Sequence, residues 1–220
     1  MAGSWPRGIP LPAGGRVIDL TLPIHAGMPV YPGDPEITIE PVGDGTYAVH
    51  RVSLGTHAGT HIDAPAHLDP GGAGVDAIPL AACLGPARVV DCTGLRQITR
   101  EALRERAPGL AAGDRLLLRT DWDLLFGKPG YYTEFPGLTL DAARWLAELP
   151  IALLGVETPS LSAEEDHGVH QELLAKGIVV VEGLANLACI PAETCWFAVL
   201  PLPLAGLDGS PARAVAWLDE

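Results

Sequence analysis

The strongest constraint on the fold is a series of short apolar runs, "DRLLLRT", "IALLGV" and "IVVVEGL", each long enough only for a buried strand and each parted from the next by a segment of helical character. The intervening "TLDAARWLAEL" is amphipathic with Thr139 at its cap, and "SAEEDHGVHQELLAKG" is stopped by Gly177. Upstream, "TREALRER", capped by Thr99, follows the strand "ARVVDC". Strands without helices between them flank this alternation: "RVIDLTL", "EITIEPV" and "TYAVHRVSLG" before it, "WFAVLPLPL" and "ARAVAWL" after it. The pattern predicts one α/β domain with a mixed sheet, spanning residues 16–220 behind a Pro/Gly arm at residues 1–15. No linker divides it. The aromatic-rich "DWDLLFGKPGYYTEFPG", Asp121 to Gly137, is expected as a long loop lining a site or packing its own rings.

Within this frame one stretch is irregular and chemically dense. "GTHAGTHIDAPAHLDPGG", residues 55–72, holds three of the seven histidines and two aspartates among four glycines and two prolines. Gly55, Gly59 and Pro65 disfavour a helix, and in an extended backbone His57, His61, Asp63 and His67 share parity and point to one side. Imidazole and carboxylate together are the donor mix of zinc, manganese or iron sites, and glycine lets neighbouring side chains converge. The alternative is a set of solvated loop histidines. Glu182 breaks the buried run "IVVVEGL", where a carboxylate is costly unless paired, bound to a cation or at a wet strand end. On the preceding helix either His170 or His167 can approach the same ion. Both clusters together supply donors for two divalent ions sharing carboxylates.

Composition excludes other classes. A formal net charge of −13 disfavours binding to nucleic acid or to an anionic membrane. The N-terminal "MAGSWPRGIPLPAGGR" lacks a signal-peptide core and no run reaches membrane-span length, which predicts a cytoplasmic protein. Cys83, Cys92, Cys189 and Cys195 lie in apolar contexts without C-x-x-C pairing and are expected as buried, reduced thiols. Neither Ser53 nor Ser160 sits in a nucleophile elbow.

The motif "HAGTHIDAPAH", residues 57–67, resembles the H-x-G-T-H-x-D-x-P-x-H signature of the metal-dependent hydrolases called cyclases, which include bacterial kynurenine formamidase (arylformamidase). The likeness extends through "DLTLPIHAGMPVYPGDP", "GVETPSLS", "HQELLAKGIVVVEGL" and "LPLPLAGLDGSPARAV". It implies a swivelling β/β/α fold, a homodimer or homotetramer, and two divalent ions per subunit, zinc first and manganese second. It further implies His57, His61 and Asp63 as ligands of one ion, with Asp63 and Glu182 bridging to a second held by His170, and His67 as the proton carrier. Tyr31 stands where the formamidases carry a substrate-contacting tryptophan. The implied reaction is hydrolysis of an amide or formamide C–N bond, N-formylkynurenine to kynurenine and formate, with a cyclic imide, an isatin-like lactam or a lactone as alternative substrates. Trp122, Tyr131, Tyr132 and Phe135 are candidate pocket walls. A catalytically silent metal-binding scaffold is the competing class, and a free imidazole at His67 argues for the enzyme.

Overall fold

The computed structural model describes residues 15–218 apart from 44, 150 and 192; residues 1–14 of the Pro/Gly arm lie outside the described residues. In chain order the strands are β1 (Arg16–Asp19), β2 (Thr38–Val42), β3 (Val49–Ser53), β4 (His61–Asp63), β5 (Leu84–Asp91), β6 (Gln97–Ile98), β7 (Arg115–Arg119), β8 (Gly137–Leu138), β9 (Leu153–Val156), β10 (Val179–Glu182), β11 (Thr194–Pro201) and β12 (Gly209–Leu218). The helices are α1 (Leu80–Cys83), α2 (Arg100–Arg106), α3 (Leu140–Glu148) and α4 (Asp166–Leu174). Thr99 and Thr139 cap α2 and α3, their hydroxyls accepting from the backbone N–H of Ala102 and Ala142.

The expected mixed sheet closes on itself. Its order is β12-β11-β5-β7-β9-β10-β4, and β4 pairs back to β12, so seven strands form a barrel-like ring. β12, at 10 residues, carries β11 on one side and both β4 and β1 on the other. The segment β5-β7-β9-β10 is parallel, because helical crossovers join those strands, while the other contacts of the ring are antiparallel. Among the described residues, β2 and β3 pair only with each other and form a separate, exposed ribbon.

Strand parity divides the core. Leu117 of β7, Leu153 of β9, Val179 and Val181 of β10 and Ile62 of β4 point into the ring with Phe197 and Val199. Leu116 and Leu118, Leu154 and Val156, and Val180 point outward under Leu103, Leu146, Val169 and Leu173 of α2, α3 and α4. The helix read from "SAEEDHGVHQELLAKG" starts later than its sequence suggests, since Asp166 accepts from the Ser160 hydroxyl (2.6 Å) and Ser162 N–H (3.2 Å) and so ties down the turn before it. Cys83, Cys92 and Cys195 are buried and burial pushes their thiols up, but Cys189 is exposed, correcting the expectation for that residue: it follows the turn at Asn186 rather than a strand. Among the described residues, no helix is long and apolar enough to cross a membrane.

Candidate metal centre

The outward face of β4 carries the motif. His61 and Asp63 are two residues apart on an extended strand, so they share the face opposite Ile62. Antiparallel pairing sets Glu182 of β10 directly against His61 and Val180 against Asp63, which brings the distant carboxylate beside the histidine motif. α4 crosses this face, and its buried side delivers His170 with Val169 and Leu173; His167, on the same helix, is exposed. His57 sits in the turn before β4. Gly59 in that turn and Gly183 after β10 both have positive φ, and a Cβ on Gly183 would stand 2.7 Å from the Gly59 carbonyl oxygen. Only glycine allows the two backbones this close approach.

Three imidazoles and two carboxylates therefore converge. His57 Nδ1 is 2.8 Å from Asp63 Oδ1, and His61 Nε2 is 3.4 Å from Asp63 Oδ1 and from Glu182 Oε2. His170 Nε2 lies 3.0 Å from Glu182 Oε1 and 3.4 Å from Asp63 Oδ2. Two overlapping groups, His57/His61/Asp63 and Asp63/His170/Glu182, have donor atoms close enough together to hold an ion each, and they share Asp63. Among the described residues, His61 Nε2 and Asp63 Oδ2 are buried with no hydrogen-bond partner. Orphaned donor atoms of this kind, aimed at a common point by N and O ligands, fit a divalent cation.

The electrostatics agree. Burial would lift Asp63, yet His170, His57 and His61 hold it well below the usual carboxylate range. Burial would lower His61, but Asp63 and Glu182 push it up to about 10, and His57 and His170 are raised against the same penalty. The carboxylates thus demand positive charge between them.

His67 does not join Asp63 and Glu182. It follows β4 on a single 3₁₀ turn, Pro65–His67, so extended parity does not carry it there, and it stands beside the cluster with its ring 4.2 Å from that of His57. Burial pushes it below its ordinary value, favouring a neutral imidazole. Tyr31 lines the cavity over the centre together with Asp34, Pro159 and Ser160, and its ring meets Tyr132 edge-on at 5.7 Å. Tyr131 and Tyr132 extend this wall, joined by Phe126, which sequence reasoning did not select. Two expected wall residues are elsewhere. Phe135 lines a separate cavity with Arg96 and Ser162, and Trp122 donates its indole N–H to the Tyr131 carbonyl (3.0 Å), bracing the loop.

Two further carboxylates matter and carry no local signature. Asp208, in the turn leading to β12, touches His57 Nε2 at 2.9 Å. Glu157, wholly buried after β9, accepts from the N–H groups of Thr120 (2.7 Å), Asp121 (2.8 Å) and Leu187 (3.1 Å), anchoring the aromatic loop where Asp121 adopts positive φ. Burial pushes Glu157 up to about 7 against those donors.

The family model described as Cyclase matches residues 18–163. A solved structure described as a potential metal-dependent hydrolase with cyclase activity is 33% identical over 94% of this chain and 99% of its own, with a TM-score of 0.81. A predicted metal-dependent hydrolase from Bacillus stearothermophilus is 32% identical over 93% and 99%, also at 0.81. Isatin hydrolase A from Labrenzia aggregata, bound to benzyl benzoate, is 28% identical over 94% of both chains at 0.84.

Proposed function

The chain belongs to the cyclase family of metal-dependent hydrolases, and we propose that it hydrolyses the C–N bond of a small amide at a centre of two divalent ions, zinc first and manganese second. The observation that carries this reading is the pair of orphaned donor atoms, His61 Nε2 and Asp63 Oδ2, where two ligand sets meet. His57, His61 and Asp63 would hold one ion, and Asp63, His170 and Glu182 the other. When bound, such ions lower the pKa of coordinated water toward ~7 and polarise a carbonyl oxygen.

The chain's own residues supply the rest. His67, neutral and beside the cluster, takes a proton from water and returns it to the leaving nitrogen. Tyr31, Tyr132 and Tyr131 form an edge-to-face aromatic wall against which a flat ring can lie. That wall and the isatin hydrolase among the structural relatives support a cyclic aryl amide of the isatin type as first substrate. N-formylkynurenine is the second, since a formamide on an aryl ring presents the same carbonyl beside the same ring. The expectation of a homodimer or homotetramer rests on the family resemblance, and that of a cytoplasmic location on the sequence alone.

Elemental analysis of the purified protein followed by a hydrolysis panel tests the reading. Two zinc or manganese equivalents per chain, with turnover of isatin abolished by a chelator and restored by the ion, are expected. Turnover of N-formylkynurenine alone would move the assignment to the formamidase reaction, and activity surviving verified metal removal would end the metal-hydrolase account.

A further inference from the structure

Each of the three ligand histidines has one ring nitrogen turned to the cluster and the other held by an oxygen. For His61 the inward nitrogen is Nε2, and Nδ1 is 2.9 Å from the Gly59 carbonyl. For His170 it is again Nε2, with Nδ1 2.9 Å from the Asp166 carbonyl. His57 is reversed. Its Nδ1 faces Asp63 at 2.8 Å, and its Nε2 lies 2.9 Å from Asp208 Oδ2. Two of the three outer oxygens are therefore main-chain atoms fixed by the fold, and the third is a side chain.

We infer that Asp208 is a positioning residue that sets which nitrogen of His57 is offered to the metal. A neutral imidazole has one lone pair and one N–H, so an acceptor at Nε2 keeps the proton there and leaves the lone pair on Nδ1. The inference rests on the metal reading above.

Asp208 is well placed for this. Its carbonyl oxygen accepts from Ala64 N–H at 2.9 Å, fixing it beside β4, and its carboxylate accepts from the Thr56 hydroxyl at 3.3 Å. The next residue, Gly209, pairs with Asp63, and a Cβ there would stand 2.9 Å from His57 Cε1, so its lack of a side chain lets the ring lie against β12. The same carboxylate oxygen is 3.8 Å from His67 Nδ1. His57, His67 and Asp208 also satisfy the distances of a third ligand set. That set competes with the first, because His57 cannot give its single lone pair to both sides.

The test uses full-length protein loaded with Zn²⁺ and labelled with ¹⁵N in its histidines. Two-bond ¹H–¹⁵N correlation spectra are expected to show His57 metal-bound at Nδ1 and protonated at Nε2, with His61 and His170 in the opposite pattern. Competition with a chromophoric chelator should show Asp208→Ala losing roughly 10–100-fold in Zn²⁺ affinity. Asp208→Asn, whose amide oxygen still accepts from Nε2–H, should recover part of the loss, and both variants should reach the same Zn²⁺ stoichiometry at saturation as the parent.

Zn²⁺ on His57 Nε2, or unchanged affinity in both variants, overturns the inference. So does the loss of one equivalent at saturation in Asp208→Asn, which would make Asp208 a ligand. If the unsubstituted protein binds no Zn²⁺, the metal reading fails first and in a distinguishable way. The spectra of the unsubstituted protein decide the matter even if Asp208→Ala does not fold.

Discussion

Replacing Glu157 by Gln isolates a competition that the fold sets up at one buried carboxylate. Complete burial disfavours its charge, whereas three backbone N–H donors favour it. Burial, helped by the nearby Asp123 charge, wins and moves the group from 4.5 to about 7. The sign follows by linkage. Below the ordinary value both states hold the proton; between that value and about 7 the unfolded chain has released a proton that the folded chain keeps, so raising the pH favours unfolding. The shift corresponds to about 3 kcal/mol lost across this window, at about 1.4 kcal/mol per pH unit. Gln does not titrate. It also sets an amide N–H₂ against at least one backbone N–H, a constant cost of about 1–3 kcal/mol. Urea unfolding of the metal-free proteins between about pH 5 and about pH 8 separates the two effects, because every other titrating group is common to both. Stability relative to the parent should rise with pH by about 3 kcal/mol in Glu157→Gln, whatever the constant offset. A flat difference, or one that falls with pH, would refute the reasoning and show that the N–H donors outweigh burial.

Other substitutions address the centre and its scaffold. His67→Ala should lower turnover by roughly 10²–10⁴-fold with metal content unchanged, as measured by steady-state kinetics beside elemental analysis; full turnover would remove His67 from proton transfer. Asp63→Asn and Glu182→Gln should each reduce bound metal at matched loading, and normal content in both would sink the two-ion reading. Gly183→Ala meets both a positive φ and the Gly59 carbonyl, so it should destabilise the fold by roughly 1–3 kcal/mol in thermal unfolding; an unchanged melting temperature would mean that the turn holding His57 adjusts freely.

Much of the architecture was legible because its signals are local. The apolar runs became β7, β9 and β10, and Thr99 and Thr139 cap their helices as read. What escaped depends on direction. Aromatic character in Asp121–Gly137 does not say which way a ring points, so sequence alone does not separate Phe135 and Trp122 from Tyr131 and Tyr132, or bring Phe126 forward. Spacing placed both His167 and His170 within reach of Glu182, and packing of the Val169/Leu173 side of α4 is what buries one and exposes the other. The ring closure through β4 and β12 has no local signal, since it pairs Gly209 with Asp63 and Pro211 with His61, segments about two thirds of the chain apart.

By itself, the amino-acid sequence determined the kinds of donors present and the local shape that gathers the first of them: His61 and Asp63 share a face because strand periodicity is two, and glycine permits the turn that carries His57. Only the tertiary structure decided which distant groups complete the centre. The β4–β10 register sets Glu182 against His61, the β4–β12 register brings Asp208 to the outer nitrogen of His57, and α4 lays His170 over both. A slip of one residue in either strand pair would turn those side chains to the opposite face. The centre's composition is therefore written locally, while its assembly depends on hydrogen-bond registers between strands far apart in the chain.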